Sequence, residues 1–141
     1  MYLDTAILVK LFIPESDSEF YAKIVDGQII VSSYLAYTET WSAILSKERH
    51  GLIDSKQRKN AWAEFERNLA EETIQLIPLS SAIFKKANRI LEECQPHVPL
   101  RSLDALHLAC CDHMQEWPLC TNDKRMLDAA NFLHFPLLTS H

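Results

Sequence analysis

Short apolar runs alternate with longer amphipathic ones along the chain. Residues 2–4, 28–32, 73–79, 118–121 and 135–138 make up the short runs, most of them too brief for helices and each beside a helix-start signal or a turn. Strands alternating with helices in this way predict an α/β fold, with a mostly parallel central sheet of about five strands and helices on both faces. Punctuation between the runs is legible. Ser33 can cap a helix that continues to about residue 50, with Gly51 closing it, and Asp54 followed by Gln57 has the form of a capping box opening a helix to about residue 70. Ser80 and Ser102 can open two more helices. A last helix is expected to start near Asn122 and Asp123 and to stop at Asn131, a residue type that tolerates the left-handed conformation.

Open parallel sheets bind ligands outside the carboxyl ends of their strands, so the residues placed there matter most. Asp4 closes the first predicted strand, Asp123 lies two residues after the fourth, and Asp104 lies two residues after the Ser102 cap. Carboxylates in a first helical turn are favoured by the helix dipole, typically by about 0.3–1 kcal/mol. Glu39 is different, since it falls in the middle of the helix after Ser33. At about 100° per residue, Tyr34, Tyr37, Trp41, Ile44 and Leu45 share one arc, and Glu39 points almost opposite, beside Leu35, Ser42, Ala43 and Ser46. On this pattern it is either a solvated residue or the lining of a cleft. In the helix after Ser102 the apolar arc reads as Leu103, Leu106, Cys110 and Met114, with Asp104 at its margin. His107 and Cys111 stand one turn apart near that arc; no second pair at zinc spacing accompanies them, and core packing is the expected role.

Composition narrows the chemistry. Of 141 residues only two are glycine, Gly27 and Gly51, so no Walker loop, dinucleotide-binding turn or nucleophile elbow can be written anywhere. One domain over residues 1–141 is expected, long enough to bury a core without staples. Cys94, Cys110, Cys111 and Cys120 fit no zinc spacing and make a poor disulfide framework; reduced, buried thiols are expected. No apolar run approaches the length of about eighteen residues that spans a membrane, and Asp4 and Lys10 interrupt the apolar start where a signal peptide would lie. A soluble, cytoplasmic protein is the expectation. Its net charge of −5 argues against attachment to nucleic acid by bulk electrostatics, though a local basic path is compatible with it.

Clustered carboxylates offer all-oxygen ligation, which suits Mg²⁺ or Mn²⁺. One such ion lowers the pKa of a bound water and polarises a phosphoryl oxygen, and a second, about 3.5–4 Å away, stabilises the leaving oxygen. Phosphodiester hydrolysis follows naturally from that chemistry. Glycoside hydrolysis also uses paired acids, but no separate signal for a sugar cleft is present.

The surroundings of the acids add a pattern. Tyr2, Leu3, Asp4 and Thr5 with the apolar run after them, Glu39 in a helix after Val31, Ser32 and Ser33, the block Ser102 to Ala109 holding Asp104 and His107, and Thr121, Asn122 and Asp123 ahead of Lys124 and Arg125 together resemble a PIN domain. More narrowly, the chain resembles the single-domain VapC-type toxins of toxin–antitoxin pairs. The resemblance covers essentially the whole chain. It implies a three-layer fold and a metal-dependent endoribonuclease in which Asp4, Glu39, Asp104 and Asp123 surround Mg²⁺ or Mn²⁺. Asp4 and Asp104 would be the most direct ligands, with Glu39 and Asp123 holding a second metal or its waters. Thr5 and Thr121 look like hydroxyls that orient a carboxylate or meet the phosphate. In-line attack by water would leave a 5′-phosphate and a 3′-hydroxyl. A homodimer and a small antitoxin that places an arginine among the carboxylates are implied as well. Asn131 departs from the family's usual glycine, which affects a turn.

RNA needs a positive path. Lys47, Arg49, Lys56, Arg58 and Lys59 outnumber Glu48 and Asp54 in segment 47–59, which either contacts RNA or is a solvated helical hairpin. Arg101, Lys124 and Arg125 lie nearer the acids and either steer phosphates or pair with neighbouring carboxylates. Lys85, Lys86 and Arg89 are expected to be solvated, and Trp41, Trp62 and Trp117 to serve core or interface. Two other classes stay open: a PIN-fold binding or assembly module with negligible cleavage, and a PIN nuclease of RNA processing without an antitoxin. A haloacid-dehalogenase-type phosphatase would need an aspartate where the chain has Ala6.

Overall fold

The computed structural model describes residues 1–138. Its elements run β1 (Tyr2–Leu3), α1 (Thr5–Lys10), α2 (Ser18–Val25), β2 (Ile30–Ser33), α3 (Leu35–Arg49), α4 (Ser55–Ala70), β3 (Ile74–Ile77), α5 (Ser81–Cys94), α6 (Ser102–Met114), β4 (Leu119–Cys120) and α7 (Lys124–Phe132). The sheet has order β3-β2-β1-β4 and every pair is parallel, with Tyr2 opposite Val31 and Leu119, and Ile30 opposite Ile74. Among the described residues the sheet has four strands, in keeping with the expectation of about five. Segment 135–138 contributes a single bridge, Leu137 to Leu119, because Pro136 has no amide proton and only the Leu138 amide reaches back, to the Leu119 carbonyl.

Successive strand residues face opposite ways, which divides the core into two layers. Tyr2, Val31 and Leu119 pack with Ile83, Leu106, Leu108 and Met126 of α5, α6 and α7. Leu3, Ile30 and Cys120 pack with Ile7, Leu8, Ala36 and Phe65 of α1, α3 and α4. Helices therefore cover both faces. Helix α6 is buried on every side from Asp104 to Cys111, a broader burial than a single arc; Leu103 and Met114, expected inside, are 46% and 48% exposed. In α3 the buried residues are Ala36, Thr40 and Ile44, so the inward stripe is rotated from the one the aromatic positions suggest, and Tyr34 is 54% exposed. Tyr37, Trp41 and Trp62 form a half-buried aromatic cluster between α3 and α4 instead.

The ends of the helices are set by their caps. Asp54 and Gln57 form the expected capping box, both bonds at 2.8 Å, and Ser80 caps α5 through the Ile83 amide. Tyr34 rather than Ser33 is the N-cap of α3; the Ser33 hydroxyl accepts from the Leu35 amide two positions on. Arg101 rather than Ser102 is the N-cap of α6, since its amide is taken by the Asp104 carboxylate. Helix α7 runs past Asn131 to Phe132, and His134, at φ 59°, supplies the left-handed residue. Gly51, at φ 72°, closes α3 in a conformation that only glycine adopts at no cost. All four cysteines are free and buried; Cys120 is pushed up to about 12, first by burial and then by Asp4. Among the described residues no helix is long and apolar enough to cross a membrane.

Removing the α4 cap tests this local reading. Asp54→Ala is expected to lower unfolding free energy by about 1 kcal/mol in urea titration, with the denaturant slope unchanged; an unaltered midpoint would mean that tertiary packing alone sets that helix start.

Candidate active site

Parallel connections bring the ends of β1, β2 and β4 to the same edge of the sheet, with β1 in the middle. The chain leaves β1 toward β2 and β3 on one side and reaches β4 last on the other, so the crevice at this edge is where such a sheet binds its ligand. Asp4, Glu39, Asp104 and Asp123 all line one open cleft there, with a volume of about 850 Å³.

Each acid is held by the chain around it. Asp4 caps α1: Oδ1 accepts from the Ile7 amide at 3.1 Å, and the Thr121 hydroxyl donates to Oδ2. Asp123 caps α7 through the Met126 amide at 3.0 Å, and its own amide donates to the Thr121 hydroxyl at 3.1 Å, so one threonine ties two acids together. Asp104 sits in the first turn of α6, where Oδ2 accepts from the Arg101 amide at 3.2 Å. Glu39 projects from α3, its side chain 29% exposed. Its Oε1 accepts from the Thr5 hydroxyl at 2.8 Å and from His107 Nε2 at 2.7 Å, leaving Oε2 to the cleft.

His107 is the residue that sequence reasoning put in the core. It is buried, yet its ring bridges the Tyr2 hydroxyl, 2.7 Å from Nδ1, and Glu39. Glu39 Oε1 accepts from Nε2, which leaves Nδ1 to accept from the Tyr2 hydroxyl, a group that burial holds well above its usual range. The available signal was a polar ring inside a helix buried all round, since such a group must find partners. Tyr2, however, lies 105 positions away, beyond what periodicity shows.

The electrostatics follow from these contacts. Burial raises Asp4, against the lowering effects of Thr121 and the Ile7 amide, and Asp123 adds a smaller upward push. Burial also pushes Glu39 up, but the His107 and Thr5 hydrogen bonds outweigh it and its net shift is downward. Arg101 forks onto Asp104, with Nε 2.9 Å from Oδ2 and Nη2 3.3 Å from Oδ1, and Nη2 reaches Asp123 Oδ2 at 3.4 Å. Among the described residues no three His, Cys, Asp or Glu side chains are posed around a common point as a metal would require. The donor set itself, carboxylate oxygens on one cleft, fits Mg²⁺ or Mn²⁺ in chemistry.

The basic residues divide. Lys47, Arg49 and Arg101 line the same cleft, as does Lys10, which is held by Glu15 and by Asp17 at 2.8 Å. Lys47 pairs with Glu15 at 3.7 Å, and Arg58 pairs with Glu48 beside the Trp41 ring. Lys56, Lys59, Lys124 and Arg125 are exposed and do not line the cleft; Lys124 pairs with Asp128. Lys86, expected to be solvated, is half-buried against Asp112. Arg49 has no ion-pair partner among the described residues.

A family model for the PIN domain matches residues 1–132. The chain belongs to the PIN domain family. Members of this family are generally nucleases. Two solved structures share the fold. One is the FitAcB crystal structure from Neisseria gonorrhoeae, with TM-score 0.74 and 14% identity over 98% of this chain and 96% of that one. The other is a toxin–antitoxin complex from Klebsiella pneumoniae, with TM-score 0.56 and 18% identity over 88% of each chain. No curated protein sequence matches the chain.

Burial of Asp4 makes a signed prediction for this PIN domain. The folded protein holds the Asp4 proton more tightly than the unfolded chain does. Its contribution is therefore fully present below the ordinary aspartate value of about 3.9 and lost as pH rises toward the higher folded value. Asp4→Asn keeps the helix cap and removes the buried charge. In EDTA at pH 7 it should raise the melting temperature, by progressively less as pH falls through the raised folded value toward about 4; a lower melting temperature at pH 7 would contradict this account.

Proposed function

We propose that this PIN domain is a Mg²⁺- or Mn²⁺-dependent endoribonuclease and the toxin component of a toxin–antitoxin pair. The observation that carries the reading is the convergence of Asp4, Glu39, Asp104 and Asp123 on one cleft at the carboxyl edge of the sheet. Asp4 and Asp104 would hold the metal, with Glu39 and Asp123 holding a second ion or its waters. When bound, the ion supplies Lewis-acid polarisation of a phosphoryl oxygen and a water of lowered pKa.

The chain's own residues do the positioning. Thr121 and the Ile7 amide fix the Asp4 carboxylate, while Thr5 and His107 fix Glu39 by one oxygen and leave the other for the site. Such outer partners set ligand orientation and basicity, and their loss typically costs about 10–100-fold in metal affinity or activity. No side-chain nucleophile is needed. Arg49, on the cleft wall and free of carboxylates, is the best placed basic group to meet a phosphate of the strand. Lys47 and Lys10 add positive potential there but are already engaged.

The fold shared with FitAcB and with the Klebsiella toxin–antitoxin complex supports a small antitoxin partner, and a homodimer belongs to the same reading. A non-cleaving binding module is favoured by one feature, the closure of Arg101 on Asp104 and Asp123. Incubation of the purified protein with total cellular RNA under Mn²⁺, Mg²⁺ or EDTA, followed by sequencing of new 5′ ends, separates the two. Discrete metal-dependent cuts are expected, and Asp104→Asn should slow them by more than about a hundredfold, beyond the loss of an outer partner. A folded, metal-binding protein that cuts nothing would point to the binding module.

A further inference from the structure

Arg101 stands in an unusual place for a group that also begins a helix. Its backbone amide and its guanidinium both bind the carboxylate of Asp104, and the same guanidinium reaches Asp123 across the cleft. Two of the four acids of the site thus share a single cation belonging to the chain. This side chain is nevertheless 59% exposed, so solvent surrounds most of it and no packing locks it in place. An exposed fork of this kind is worth little, whereas the acids it holds are buried or half-buried. A divalent ion offers them twice the charge.

We infer that Arg101 is an exchangeable counter-cation. It holds Asp104 and Asp123 in the metal-free protein and is displaced when a divalent cation enters. Its planar guanidinium then remains on the rim of the same cleft and takes a substrate phosphate in place of the carboxylates. Guanidinium suits both partners, since its forked donors match carboxylate and phosphate alike. Displacement does not undo the helix, because the Arg101 amide, which any residue provides, continues to cap α6 through Asp104. The inference rests on the proposed metal-dependent nuclease reading.

Mn²⁺ binding, followed by the electron paramagnetic resonance signal of the free ion at fixed ionic strength, tests the exchange directly. Arg101→Ala should bind Mn²⁺ about two- to fivefold more tightly than the wild type, the range that corresponds to removing a competing exposed pair of this kind. Arg101→Lys keeps the charge but loses the fork, and should fall between the two. Lys85→Ala removes the same unit of charge from α5, away from the cleft, and should leave the affinity unchanged. In cleavage at saturating Mn²⁺, Arg101→Ala should raise KM for RNA several-fold with kcat held within about twofold, the pattern of lost ground-state binding. Equal or weaker Mn²⁺ affinity in Arg101→Ala, with the wild type binding, would overturn the exchange alone. Tighter metal binding with unchanged KM would overturn the phosphate role. Absence of binding by both proteins would remove the metal-dependent reading with it, and binding by Arg101→Ala only would support the exchange in its strongest form.

Discussion

A carboxylate at the end of a buried central strand is costly, and the architecture around Asp4 is organised by that cost. Strand β1 lies between β2 and β4, and Asp4, the residue that follows it, is the N-cap of α1. The Ile7 amide answers one Asp4 oxygen and the Thr121 hydroxyl the other, yet the carboxyl group still sits above its usual range because burial outweighs both. Four more acids, Glu15, Glu39, Asp104 and Asp123, line the cleft. Crowding of this kind is stable only with cations nearby, and the chain supplies Arg101 directly on two of the acids, with Lys10, Lys47 and Arg49 along the same walls. A net charge of −5 therefore says little about this cleft, where bases nearly balance acids.

Much of this was readable beforehand because it depends on local rules. Alternating short and long runs imply a parallel sheet; a parallel sheet puts its strand ends together; and Asp123 follows its strand at a helix start, where an aspartate is at home, whereas Asp4 was legible as a strand end and not as the cap of α1. The Asp54 capping box is similarly a matter of four neighbouring residues. Local rules misled where tertiary packing was stronger. Aromatic residues marked the wrong stripe of α3, since the inward positions opposite the sheet admit only Ala36, Thr40 and Ile44, and the large rings collect between α3 and α4. Arg101 displaced Ser102 as the start of α6 because Asp104 caps backwards onto it. Segment 135–138 has the composition of a strand, but Pro136 limits its pairing to one bridge.

Contacts between distant parts of the chain were not legible at all. Periodicity left Glu39 open between solvent and cleft. What settles its position is Thr5 on α1 and His107 on α6, 34 and 68 residues away. His107 in turn is held by Tyr2, whose buried hydroxyl lies 2.7 Å from Nδ1. Basic residues show the same limit: by composition Lys47, Arg49 and Arg58 form one cluster, but Glu15 and Glu48 engage two of them and leave Arg49 alone on the cleft wall. Which charges are free for a ligand is a property of the folded pairings.

The central claim is that these four acids await a divalent cation, and thermal stability reads that most directly. Melting temperature of the wild type in EDTA is compared with that in rising Mg²⁺ or Mn²⁺, with Asp104→Asn alongside. An ion that binds only the folded protein stabilises it in proportion to the logarithm of its concentration above Kd. The account predicts a rising melting temperature for the wild type and most of that rise lost in a folded Asp104→Asn. A wild-type melting temperature indifferent to metal at concentrations that support cleavage would contradict it.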